Sequence, residues 1–148
     1  MRIILGSEQL GGVDWGSYSI KDCERALMSA IEKGICKVDT ANIYGLGLVE
    51  KRLGKILKKN ISKVKIITKI GFKYKIVNKN KRANVKIDLS YKNLHENITN
   101  SLKNLKLDCV DTCLIHWPDN KTNYLESLEI LKDFKKKDGW WESGDIGK

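Results

Sequence analysis

The chain has little proline and no long hydrophobic run. Its 148 residues include a single proline, Pro118, and no apolar stretch of about twenty residues, the length that a membrane-spanning helix needs. The N-terminal segment MRIILGSEQLGG has too short an apolar part, and too many glycines, for a secretory signal. These absences predict a cytoplasmic protein that does not enter a membrane.

Cysteine is also sparse, and it follows no metal-binding pattern. The four cysteines form no C-x-x-C pair, and no histidine lies at zinc-ligand spacing from them. Cys109 and Cys113 would lie about 13 Å apart along one face of a strand, which is too far for a disulfide. We therefore expect all four to be small buried thiols in a reducing compartment.

Acidic residues are outnumbered, and aromatic residues are few. The net charge of +10 comes almost entirely from lysine, and the lysines are spread along the chain with few aromatic side chains among them. Proteins that bind single-stranded nucleic acid place aromatic stacking platforms beside their basic residues. The pattern favours a solvated lysine-rich surface. Binding of a polyanion is a further, less favoured hypothesis for the function.

Short apolar runs alternate four times with segments of helical periodicity. Strands are predicted near 3–5, 35–39, 64–69 and 109–115, each followed by a helix, and the four helices lie near 20–33, 48–59, 91–105 and 123–136. This alternation predicts a parallel sheet with right-handed crossovers. The polar stretch 71–88 is longer than an ordinary loop, so it is functional, mobile, or contains a short strand pair.

Three of the predicted strands end in an ionisable residue. Asp39, Lys69 and His116 occupy these positions, and Tyr44 follows Asp39 by five residues. Taken singly, the carboxylate could form a turn, the lysine could be an exposed strand end, and the histidine could be a core residue. Because parallel α/β folds carry their chemistry at the carboxyl ends of the strands, we expect the four side chains to share one pocket.

Together these groups suit proton delivery to a carbonyl oxygen. A lysine ammonium beside a tyrosine favours the phenolate, so it makes the tyrosine a stronger acid. A carboxylate would keep the lysine charged and oriented, and a histidine could hydrogen-bond the substrate oxygen. None of the four groups can supply hydride, so a nicotinamide cofactor is expected.

The order and spacing of several segments resemble the N-terminal half of an aldo-keto reductase, over about residues 3–137. The specific part is Asp-Thr-Ala…Tyr-Gly followed by Thr-Lys and then Ile-His-Trp-Pro. The matching segments are LGSEQLGG with Trp15-Gly16, DTANIYGLGLVEKRLG, IITKIG, DLS, and SLKNLKLDCVDTCLIHWPD.

The resemblance implies a (β/α)8 TIM barrel, of which this chain would supply the first four βα units as an open half-barrel. It also implies reduction of a small aldehyde or ketone with NADP(H) or NAD(H). In the family's terms, Tyr44 resembles the general acid, Asp39 and Lys69 the pair that strengthens it, and His116 the residue that orients the carbonyl.

Further site residues follow only from the resemblance. It implies that Asp39 also faces the nicotinamide and that Trp15 and Trp117 contact the substrate. The family's other cofactor contacts would lie in the half that this chain lacks, so we expect weak binding of NADP(H).

The resemblance changes near residue 137. Residues 138–148, DGWWESGDIGK, stand where the family continues toward a fifth strand, and they are interpreted as an aberrant tail from truncation or frameshift. Four strands cannot close a barrel, so the open sheet edges predict self-association. The alternative function is an inactive remnant with a binding or structural role.

Overall fold

The computed structural model describes residues 3–12, 19–59, 63–78, 81–119 and 121–137. The interpretation of the tail falls on residues that lie outside these ranges. The described part contains six strands and four α-helices. The strands are β1 (Leu5–Gly6), β2 (Lys37–Asp39), β3 (Lys65–Ile70), β4 (Phe72–Asn78), β5 (Lys81–Ile87) and β6 (Thr112–Ile115). The helices are α1 (Ile20–Glu32), α2 (Leu48–Ile56), α3 (Tyr91–Leu105) and α4 (Tyr124–Lys137).

Four strands form one parallel sheet in the order β1-β2-β3-β6. The parallel sheet and the four strand–helix units are as predicted, but three of the four strands, β1, β2 and β6, are shorter than the apolar runs. The last one starts at Thr112 because the carboxylate of Asp111 accepts the hydrogen bond of the Ile66 backbone N–H at 2.8 Å. A side chain there occupies the position where strand pairing would otherwise begin.

The long polar stretch contains a strand pair, which is one of the three alternatives that its length predicts. Strands β4 and β5 pair antiparallel, from Phe72 with Ile87 to Asn78 with Lys81. The hairpin follows β3 directly, so it extends from the carboxyl edge of the parallel sheet. Its position explains why residues 71–90 lie between β3 and α3.

Two of the helices, α1 and α3, begin at serine caps. The Ser19 hydroxyl accepts a hydrogen bond from the Asp22 backbone N–H, and the Ser90 hydroxyl accepts one from Asn93. These bonds satisfy donors that the first turn of a helix leaves free. Helix α2 ends earlier than predicted, and a 3-10 turn covers residues 57–59. No helix in the described residues is long and apolar enough to cross a membrane.

The helices cover one face of the parallel sheet. Along β3, Ile66, Thr68 and Ile70 are buried against the helices, while Lys65 on the other face is exposed. This alternation follows from the two-residue period of a strand.

One expectation about the cysteines is wrong. Cys109 is exposed and the other three are partly buried. Cys109 precedes the first paired residue of β6, so no neighbouring strand covers it. The apolar run begins before the residues of β6 that pair, so the predicted strand started too early.

Helices α2 and α3 approach closely at a glycine. A Cβ atom at Gly54 would lie 2.5 Å from the carbonyl oxygen of Asn104 and 2.7 Å from that of Leu105. Both contacts are with backbone atoms, so only movement of a whole helix could relieve them. Gly54 therefore sets the distance between the two helices that support β3.

We predict that Gly54→Ala destabilises the chain. Alanine in an ordinary helix interior gains roughly 0.5–1 kcal/mol over glycine, but overpacking here reverses the sign and costs about 1–3 kcal/mol. Chemical denaturation followed by circular dichroism measures the free energy of unfolding. Gly6→Ala is the control, because a Cβ there meets nothing within 4 Å. A Gly54→Ala chain as stable as the control would contradict the prediction.

Candidate active site

The four predicted side chains meet at the carboxyl edge of the parallel sheet. Asp39 is the last residue of β2, Lys69 lies one residue before the end of β3, and His116 follows β6 directly. Tyr44 begins a 3-10 turn in the loop after β2. Backbone hydrogen bonds continue past the strand ends, as from the His116 N–H to the Ile70 carbonyl at 2.8 Å. The sheet therefore positions all four residues.

The Lys69 ammonium is the centre of the cluster. It donates hydrogen bonds to the Asp39 carboxylate at 2.5 Å, to the Tyr44 hydroxyl at 3.1 Å and to the Thr40 carbonyl at 3.1 Å. Only 16% of the Lys69 side chain is exposed, so solvent screens these contacts less than it would at the surface. One cation thus contacts both the predicted acid and the predicted carboxylate.

The Tyr44 ring lies between a cation and an imidazole. The Lys69 ammonium is 4.8 Å from the ring centroid, and the His116 ring contacts it edge to face at a centroid distance of 5.8 Å. Tyr44 is partly buried, and its hydroxyl reaches Lys69. The phenol and the imidazole are therefore close enough for one small substrate to contact both.

His116 is held in a setting that favours its neutral form. Burial lowers its pKa below the usual value of 6.5, the Lys69 ammonium lowers the pKa further, and the Asp39 carboxylate opposes the shift. The imidazole is therefore neutral at pH 7. Its Nδ1 atom is buried and has no hydrogen-bond partner in the described part of the chain.

Sequence reasoning missed Phe72, which packs edge to face on His116 with the ring centroids 5.0 Å apart. Phe72 is the first residue of β4. The long stretch after β3 therefore contributes to the site through a hairpin strand. In the sequence, only the unusual length of the stretch 71–88 indicated that it could contribute to the site.

Sequence reasoning also missed a close backbone contact between Gly45, in the loop that contains Tyr44, and Gly11. A Cβ at Gly45 would lie 2.4 Å from the Cα of Gly11, and Gly45 has a φ of +55°. Leu46 and Gly47 also have positive φ, at 59° and 82°. These left-handed residues turn the chain sharply after Tyr44, so the loop packs against the 3-10 turn at residues 8–11.

The two tryptophans remain predictions as substrate contacts. Trp117 follows His116 and is 58% exposed, so its ring is open to solvent at the same sheet edge. Trp15 lies outside the described residues. In the described part of the chain, no group of three or more histidine, cysteine or acidic side chains could hold a metal ion.

Comparison with known proteins identifies the family. The sequence profile of the Aldo/keto reductase family matches residues 2–146, and the chain belongs to that family. It is 32% identical over 134 residues to Aldo-keto reductase YhdN of Bacillus subtilis, covering 89% of this chain and 39% of the relative. It is also 32% identical over 129 residues to protein tas of Escherichia coli, covering 37% of that protein.

Solved structures agree on the fold. The glycerol dehydrogenase of Gluconobacter oxydans superposes with a TM-score of 0.81 and 30% identity, covering 93% of this chain and 42% of that one. An aldo-keto reductase of Bacillus halodurans, in its holo form, superposes with a TM-score of 0.78 at 23% identity. The open sheet is therefore a partial (β/α)8 barrel, and the chain spans less than half the length of the relatives named here.

We predict that the two charges beside His116 move its titration in opposite directions. Lys69→Met should raise the pKa of His116, because it removes a cation, and Asp39→Asn should lower it, because it removes an anion. A histidine-selective NMR titration measures both shifts, and His95 on α3 serves as the internal reference. A wild-type midpoint at or above 6.5 would contradict the lowered pKa of His116.

Proposed function

We propose that this chain carries the proton-delivering residues of an NAD(P)H-dependent reductase of aldehydes or ketones. One observation supports the proposal: the Lys69 ammonium hydrogen-bonds the Asp39 carboxylate and the Tyr44 hydroxyl at once. This arrangement places a cation, itself held by a carboxylate, within hydrogen-bond distance of the phenol, as proton transfer from Tyr44 to a substrate would require. Membership of the family supports the reaction class, oxidoreduction of a carbonyl compound.

Tyr44 is the proposed general acid. Its hydroxyl gives a proton to the carbonyl oxygen of the substrate, and Lys69 stabilises the phenolate that remains. Asp39 holds Lys69 in place. The imidazole of His116, neutral at pH 7, hydrogen-bonds the same carbonyl oxygen and directs it toward the Tyr44 hydroxyl.

The site fits the nicotinamide end of the expected cofactor. The carboxylate of Asp39 uses Oδ1 for Lys69 and keeps 27% of its side chain exposed, so the side chain is open to a carboxamide N–H. When bound, NADP(H) or NAD(H) supplies hydride to the carbonyl carbon, which none of the four side chains can do. Trp15 and Trp117 stay the proposed substrate contacts.

We predict that the chain by itself binds NADPH only weakly. It spans 39% of the Bacillus subtilis relative, and the family's other cofactor contacts are expected in the part of the barrel that this chain does not cover. A fluorescence titration should show no saturation at micromolar NADPH. Saturation in that range would show that this chain holds the rest of the cofactor as well.

We predict that Tyr44→Phe removes carbonyl reduction. The assay uses residues 1–137 joined to the part of the Bacillus subtilis reductase that they do not match, with NADPH oxidation as the readout. Loss of a general acid should lower kcat by about 100-fold or more. Tyr91→Phe is the matched control, because Tyr91 is 53% exposed on α3. Full activity in the Tyr44 variant would overturn the assignment of the acid.

An inactive remnant with a binding or structural role is the second candidate. The same assay separates the two: a chimera that folds, shown by a native circular dichroism spectrum, but reduces no carbonyl compound would support the remnant.

A further inference from the structure

The open face of the parallel sheet carries two lysines side by side at its amino end. Lys37 of β2 lies directly opposite Lys65 of β3 in the register of the two strands. Side chains alternate between the faces of a strand, so both lysines share the face of Asp39 and Lys69, not the face that the helices cover. Lys65 is exposed and Lys37 is partly buried. This face therefore begins with two ammonium groups and ends with the candidate active site.

Among the described residues, neither of these ammonium groups forms an ion pair with a carboxylate. The only acidic residue on this face, among the paired residues of the described strands, is Asp39, and its carboxylate bonds Lys69. Like charges on directly opposite residues of neighbouring strands repel each other. The lysine pair is therefore tolerated only where solvent reaches it.

Apolar side chains lie beside the lysine pair and along both edges of the sheet. Ile67 follows Lys65 on the open face and is partly buried, and Leu114 of β6, the partner of Lys69, is 42% exposed. At the opposite edge, Ile3 and Ile4 precede β1 and are 47% and 50% exposed. An open sheet with exposed apolar residues at both edges is suited to cover by another polypeptide.

A second copy of the chain fits this face poorly. Two copies that close one barrel would each bring Lys37 and Lys65, so four ammonium groups would meet at the amino end of a shared interior. Like charges brought together and removed from water without counter-ions oppose association. The net charge of +10 adds to the repulsion between copies. Self-association, which the open edges predict, is therefore the competing outcome of the test below.

We propose that the open face binds an acidic partner polypeptide, whose parallel strands extend the sheet at β1 and β6 and place carboxylates level with Lys37 and Lys65. Each ammonium group would gain a counter-ion as the face is covered, so no charge would be buried unpaired. Apolar side chains of the partner would pack on Ile67 and Leu114. Such binding is independent of the proposed reaction, because the lysine pair lies at the amino ends of the strands and the candidate active site at their carboxyl ends.

A charge-reversed copy of the full chain is the probe for such a partner. Lys37→Glu/Lys65→Glu keeps the strands and the apolar residues, but it presents two carboxylates where the wild-type chain presents two ammonium groups. Sedimentation equilibrium, with one of the two chains labelled, measures their association. We expect a mixed dimer that is about tenfold or more tighter than either homodimer. No mixed dimer, or a wild-type homodimer as tight as the mixed one, would overturn the proposal.

A second reversed copy separates the lysine pair from the general surface charge. Lys21→Glu/Lys92→Glu makes the same change of net charge on the exposed first turns of α1 and α3, where an acidic residue suits the helix dipole. This control should bind the wild-type chain about as weakly as the wild-type chain binds itself. Equal binding by the two reversed copies would mean that net charge alone drives association, which refutes the site.

A neutral variant covers the case in which the charge-reversed probe does not fold. Lys37→Met/Lys65→Met removes all four ammonium groups from a dimer of the chain. Its self-association at low salt should be about tenfold tighter than that of the wild-type chain, and high salt should reduce this difference because it screens the repulsion between lysines. Equal self-association of the two chains at low salt would contradict the role of the lysine pair. A difference that salt leaves unchanged would reflect the apolar methionines alone and would contradict it as well.

Discussion

One lysine ammonium holds the proposed chemistry together. Lys69 contacts Asp39, Thr40 and Tyr44, which approach it from another strand and its following loop. These contacts depend on the pairing of β2 with β3, in which Asp39 lies opposite Ile67. Side chains alternate along a strand, so a slip of one residue would turn Lys69 toward the helices and leave its charge buried and unpaired. The register of two central strands therefore decides whether the site exists.

Close backbone packing supports this site from outside the strands. The Tyr44 loop can turn sharply because Gly45 adopts a left-handed conformation and touches Gly11 with no side chain between them. The Ser7 hydroxyl donates to the Asp39 carbonyl at 2.7 Å, so the same N-terminal segment also holds the end of β2. Residues that take no part in the proposed chemistry thus determine where the acid lies.

The fold buries one face of its sheet and leaves the other for function. The helices and the core residues cover the face that carries Val38 and Ile66. Lys69 lies on the opposite face, where its partner in β6, Leu114, is 42% exposed. In a complete barrel that face is the interior. Self-association through the open edges of β1 and β6 stays a prediction.

The sequence by itself determined the pattern of strands and helices and the four residues of the candidate site. Periodicity and residue type are local properties, and parallel topology brings strand ends to one edge, so Asp39, Lys69 and His116 could be grouped before any coordinates. Only the tertiary structure decided the hairpin, the Phe72 contact on His116, the approach of Gly11 to Gly45 and the exposure of Cys109. Each of these depends on which distant segment becomes a neighbour, and local periodicity does not record that.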